Sequence, residues 1–195
     1  MKKILILLFV FLLTSCVHEK TSNFVDPSER INDVVGVSVL PPQEEGWQIA
    51  SKNKTQLVLA KYGPTENSSY IANITIFKLP KFETEQQFTQ YISEGKKAQQ
   101  PEERFRVIQD EKENIKGGAN YIMKYHTIAE DKVATAKYGN KTMILEVLGY
   151  TGQHPQNHAI GIELGYSYRY QLGNEDINFK EKANTFLDSI IITDL

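Results

Sequence analysis

Two imidazoles four residues apart, His154 and His158, are the first side chains here whose spacing suggests chemistry. On a helix they would share a face and could hold a metal ion. Pro155 between them and Gly152 before them argue for a loop, and no Glu follows His154, so the H-E-x-x-H zinc arrangement is absent. A complete site would need further ligands, with Glu163 or His126 as candidates. Solvated loop histidines and no bound metal are the simpler expectation. Ser93-Glu94-Gly95-Lys96 has the S-x-x-K spacing of acyl-serine enzymes, but the companion S-D-N and K-T-G motifs are missing. Ser167 lacks the second glycine of a nucleophile elbow. No phosphate loop or dinucleotide fingerprint occurs, so no cofactor is implied. Asp110, Glu111 and Glu113 read as a solvated acidic turn. Tyr166, Tyr168 and Tyr170 recur at every second residue. On a strand they share one face, which is either an interaction surface or core beneath a closing helix. No catalytic set emerges.

The chain holds one cysteine, Cys16, and its surroundings explain it. Lys2 and Lys3 precede an unbroken apolar run, residues 4–13, and then Thr14 and Ser15. Ten apolar residues rise about 15 Å as a helix, roughly half the hydrocarbon core of a bilayer, so a cleaved signal fits better than a span. Leu13-Thr14-Ser15-Cys16 resembles a bacterial lipobox. The resemblance implies cleavage before Cys16, diacylglycerol on its thiol and an acyl chain such as palmitate on its freed amine. At about 0.8 kcal/mol per buried methylene, two or three chains make a durable anchor. By the same analogy, Val17 rather than Asp after the cysteine implies the outer membrane, on its periplasmic face.

The expected division of the chain is a signal segment over 1–15, a lipidated tether over 16–33 and one domain over 34–195. The formal charge is −2, and loss of Lys2 and Lys3 leaves 20 basic against 24 acidic side chains. Such a balance has neither the basic footprint of a nucleic-acid binder nor a polybasic lipid patch. Without a second cysteine the fold must stand on packing, for which ten Tyr and nine Phe supply large groups. About 17 flexible tether residues span on the order of 20 Å, with Phe24 and Val25 able to dock on the domain or on a partner.

The alternation of apolar residues predicts strands over 34–40, 47–51, 55–62, 70–79, 105–110, 119–129, 142–150 and 158–170. An edge strand is expected over 133–138, a charged turn over 110–114 and a loop over 151–157. Thr84 with Gln87 forms a capping-box pattern that opens a helix with Phe88, Tyr91 and Ile92 on one stripe. Asn178 is expected to cap a closing helix with Phe179, Ala183, Phe186, Leu187 and Ile190 inward. The expected class is α+β: a mostly antiparallel sheet of about six to seven strands packed with two main helices.

Pro41-Pro42 before Gly46-Trp47, the Gly118-Ala119 step and the terminal Phe186-Leu187-Asp188-Ser189-Ile190 resemble the PsbP-like superfamily, including its DcrB-type envelope lipoproteins. That likeness covers about residues 34–192 and implies a sandwich fold and an accessory or binding role in a larger assembly. The functional expectation is a non-enzymatic, lipid-anchored envelope module with an envelope protein partner. The competing expectation is an envelope enzyme, a metal-assisted hydrolase using His154 and His158.

Overall fold

The computed structural model describes residues 24–117, 120–139 and 141–195. The lipobox with Cys16, the Gly118-Ala119 step and Asn140 lie outside the described residues. The domain is α+β, as its alternating sequence implies. Seven antiparallel strands form the main sheet: β2 (Gln48–Asn53), β3 (Gln56–Tyr62), β4 (Ser69–Lys78), β5 (Phe105–Gly117), β6 (Asn120–Asp131), β7 (Met143–His154) and β8 (Asn157–Gln171). Their spatial order is β2-β3-β4-β8-β7-β6-β5, so the β2–β4 meander meets the β5–β8 meander along the β4–β8 seam. A two-stranded sheet pairs β1 (Val37–Ser38) with β9 (Ile191–Ile192). The helices are α1 (Glu85–Ala98), α2 (Lys132–Lys137) and α3 (Phe179–Asp188).

Period-two alternation gives the sheet two unlike faces. Register aligns Tyr70, Tyr168 and Glu146 in one cross-strand row, and Ala72, Tyr166 and Leu148 in the next. This face is closed by α3, which buries Phe179, Ala183, Phe186 and Leu187. Each large apolar side chain so buried contributes about 1.5–3 kcal/mol. Tyr166, Tyr168 and Tyr170 are 1%, 1% and 3% exposed, so the tyrosine row is core and not an interaction surface. Tyr168 stacks between Tyr70 at 4.2 Å and Tyr170 at 4.8 Å, while Tyr166 meets Phe179 and Phe186 at 5.7 and 6.1 Å. Helix α3 closes the row at Tyr166, and the seven residues between β8 and α3 fold back beside Tyr168, whose hydroxyl donates to Asn174 O at 3.3 Å.

Four local expectations change. The stretch 132–137 is a helix rather than an edge strand, because the buried Asp131 carboxylate caps it by accepting from Ala134 N at 3.0 Å. The charged residues 110–114 continue β5 instead of turning, and an outermost strand tolerates such charges because only one edge is paired. Residues 151–154 and 157 belong to a β7–β8 hairpin whose turn is only Pro155-Gln156. Asn178 makes no side-chain cap; its own N–H donates to Asp176 at 3.0 Å.

The tether assignment also shortens. From Phe24 the chain lies on the domain: Phe24 bridges Gln48, Val25 N donates to Trp47 O at 3.0 Å, and Arg30 reaches Ser189 O at 2.9 Å. The exposed edge of β2 offers unpaired backbone groups there, which a passing extended segment satisfies.

Candidate functional site

The face opposite α3 is covered only in part, and α1 is the reason. Thr84 Oγ1 accepts from Gln87 N at 3.2 Å, and the Gln87 side chain accepts from Glu83 N at 2.8 Å, which fixes where the helix starts. Its first half packs Phe88 and Ile92 on Leu79 and Met123, with Phe77, Phe82 and Tyr121 around them. One turn beyond Ile92 the inward position is Lys96 instead of an apolar residue. Its ammonium pairs with Glu163 at 2.7 Å and sits 3.7 Å over the Tyr125 ring. The second half of the helix therefore stands on an ion pair and leaves the sheet beyond it uncovered.

That gap is a cavity of about 160 Å³ whose floor includes Tyr125, Thr127, Ala129, Leu145 and Val147. It shares Lys96, Gln100 and Phe105 with an outer groove of about 630 Å³ between α1 and β5. The outer groove falls within the roughly 300–1,000 Å³ usual for small-molecule sites, and the inner chamber is a smaller recess opening from it. Gly149 makes the floor possible. A Cβ there would meet Leu164 O at 2.3 Å and the Tyr125 hydroxyl at 2.4 Å, so only glycine lets the phenol lie across the strand.

Burial pushes the Lys96 pKa down and Lys112 adds to that, while Glu163 pulls it up; the net position is below the ordinary lysine value. Burial pushes the Tyr125 phenol well above its ordinary value, and the Glu163 charge adds to it. Tyr125 is thus a neutral donor, bonded to Leu164 O at 3.2 Å. Among the described residues Ser93 Oγ meets only Met123 Sδ, at 4.0 Å, and Lys96 is committed to Glu163, so the S-x-x-K spacing assembles no nucleophile and base there. The arrangement is suited to holding a ligand against an apolar floor. Its signal in the sequence was slight: a lysine on an apolar helix stripe, and a Glu between Gly161 and Gly165 on β8.

The proposed metal ligands are not brought together. His154 is fully buried, its Nδ1 accepts from Gln156 N at 3.2 Å, and its Nε2 lies in the β1–β9 corner against Gly36 with no hydrogen-bond partner among the described residues. His158 is exposed. Glu163 faces α1, and His126, paired across from Leu148, stands six residues along β7 from His154, about 20 Å away. Among the described residues no group of three or more His, Cys, Asp or Glu could hold a metal ion.

His126 forms a separate dyad missed by sequence reasoning. Its Nε2 is 2.8 Å from Glu146, and its Nδ1 is 3.3 Å from the Gln109 amide nitrogen. With Gln109 donating, the ring proton sits on Nε2 and points at the carboxylate. Glu146 was the one charge in an otherwise apolar strand, which was the available signal.

No helix among the described residues is long and apolar enough to cross a membrane. No protein-family model matches the chain, and no curated protein matches it in sequence. Solved structures do overlap it. The Ran-binding protein Mog1p of Saccharomyces cerevisiae is 10% identical with a TM-score of 0.43, covering 89% of this chain and 97% of its own. The cyanobacterial PsbP, CyanoP, of Synechocystis is 14% identical with a TM-score of 0.39, covering 93% and 99%. A Bacteroides thetaiotaomicron protein is 10% identical with a TM-score of 0.34, covering 86% and 49%. These are loose overlaps of shape, and the functional reading rests on the side chains above.

Proposed function

We propose that this chain is a non-enzymatic binding module of the cell envelope, anchored through lipidated Cys16 to the periplasmic face of the outer membrane. The cleft beneath the second half of α1 is where it holds another envelope component. The single observation that carries this reading is that the helix ends its apolar packing at Ile92 and stands on Lys96–Glu163, leaving Leu145 and Val147 half-buried and accessible. A domain of this size has enough apolar side chains to close that gap, so an open one marks a site for something else.

The test is in-cell cross-linking from a photoreactive residue placed at Val147, in the intact protein and beside Cys16→Ala. A defined envelope species captured with the anchor and lost without it supports the reading. Absence of any captured species in both would overturn it.

A further inference from the structure

We infer that the cleft takes a single-chain amphipathic anion, with its apolar tail on the sheet and its anionic head at the lysine-lined mouth. This rests on the reading of the cleft as the binding site and names the ligand class. The inner chamber is floored by Leu145, Val147, Ala129 and Tyr125, and Phe105 stands where it joins the outer groove. Its charged groups and hydroxyls are engaged: Tyr125 donates to Leu164 O, Thr127 donates to Asp110 at 3.2 Å, and Lys96 and Glu163 neutralise each other, while the side-chain amides of Asn73, Gln99 and Gln100 complete the lining. An inorganic ion or a small sugar would leave that apolar floor wet. A tail would dry it.

The mouth has the opposite character. Five basic side chains line the outer groove against three acidic ones, on a chain whose formal charge is −2. Three of the five are neutralised: Lys96 by Glu163, Arg106 by Glu130 at 2.7 Å and Lys112 by Asp110 at 2.6 Å. Lys97 and Lys132 have no carboxylate within 4.0 Å among the described residues. Among the described residues the Lys132 ammonium meets only a backbone carbonyl, Glu102 O at 2.6 Å, and keeps further donors for an anion. Glu94 and Glu102 line the same groove without an ion-pair partner among the described residues, so the anionic head is placed at Lys132 and Lys97 themselves, where a neutral head would leave the ammonium donors unused and a cationic one would be repelled.

The test uses the full-length lipidated protein in nanodiscs and a diazirine-bearing octanoate as probe, with labelled peptides mapped by mass spectrometry. Label is expected on the α1 and β7 peptides. Octanoate and octyl phosphate should compete, which compares carboxylate with phosphate heads, while octanol and octyltrimethylammonium should compete at least tenfold less well. Competition should tighten about fourfold per added methylene until the chamber is full. Lys97→Glu with Lys132→Glu should weaken the anions tenfold or more and leave octanol unchanged. Val147→Trp should abolish cleft labelling, with Ile177→Ser, at an exposed site away from the cleft, as the unaffected control. Equal competition by all four head groups, with labelling still lost in Val147→Trp, would overturn the ligand class and leave the site standing. No labelling of the cleft at all would overturn the class, and cross-linking from position 147 in cells would then decide the site separately.

Discussion

At the scale of single residues, two buried charges decide much of the behaviour. Asp131 is fully buried, caps α2 and accepts from Arg104 at 3.2 Å and Arg169 at 3.1 Å. Burial alone would raise its pKa, but the Ala134 N–H and the two guanidinium groups outweigh it and hold the carboxyl below the ordinary 3.8. A depressed carboxylate stabilises the fold above its unfolded pKa and loses that contribution as pH falls through the folded one. Stability should therefore drop below about pH 4, and Asp131→Asn should flatten that part of the acid profile in urea titrations. Asp131→Ala should cost about 2 kcal/mol, chiefly through the lost cap, since Arg104 and Arg169 keep part of their contact with water. Lys96 and Glu163 follow the same logic with a different remedy. Glu163→Gln leaves a buried ammonium unpaired and should cost about 3 kcal/mol, whereas Lys96→Met with Glu163→Leu should recover most of it in the same unfolding assay. Legibility at this scale was uneven. Glu163 is visible in the sequence as a single charge among apolar and small residues, and Lys96 as the charge that follows Phe88 and Ile92 at helical spacing, but 67 residues separate them and nothing local says they meet.

At the scale of elements, α1 is the weakly held part. Only its first half has an apolar bed, so its stability depends on the start signal more than α3's does. Thr84→Ala should cost about 1 kcal/mol. The loss should be read as faster amide exchange confined to α1, with α3 and the central strands unchanged. Gly149→Ala tests the floor instead. Its Cβ would collide with backbone and phenol together, and an overpacked site of this kind should lose about 1–3 kcal/mol in chemical denaturation. Elements with strong alternation were legible: β4, β6 and β8 fall where period-two patterning puts them, β7 starts where its apolar run does but continues to His154, and the α3 stripe is buried as its spacing requires. The errors came where local propensity and context disagreed. Val133 favoured a strand, but the Asp131 cap selected a helix; charges at 110–114 favoured a turn, but the outer edge position kept them in a strand.

At the scale of the molecule, the two ends of the described chain close one corner. Thr193 N donates to Gly36 O at 3.0 Å, Leu195 lies against Gly36, and Asp194 accepts from the Gln156 side chain. Gly36 has φ +75, and a Cβ there would meet His154 Nε2 at 2.9 Å, so the corner seals over a buried imidazole. Removing residues 190–195 should unpair β1, wet His154 and lower Tm by roughly 4–8 °C, as about 2 kcal/mol would for a domain of this size. By itself the sequence determined the α+β class, the buried faces of the main strands and the apolar stripe of α3, because alternation and helical period are properties of neighbours along the chain. Only the tertiary structure decided that the tyrosine row is core, that His154 and His158 part company and that a cleft opens under α1. The first and the last depend on which helix covers which face of a sheet joined by the β4–β8 pairing of strands far apart in sequence, and the second on the β7–β8 turn and the β1–β9 corner that buries only His154.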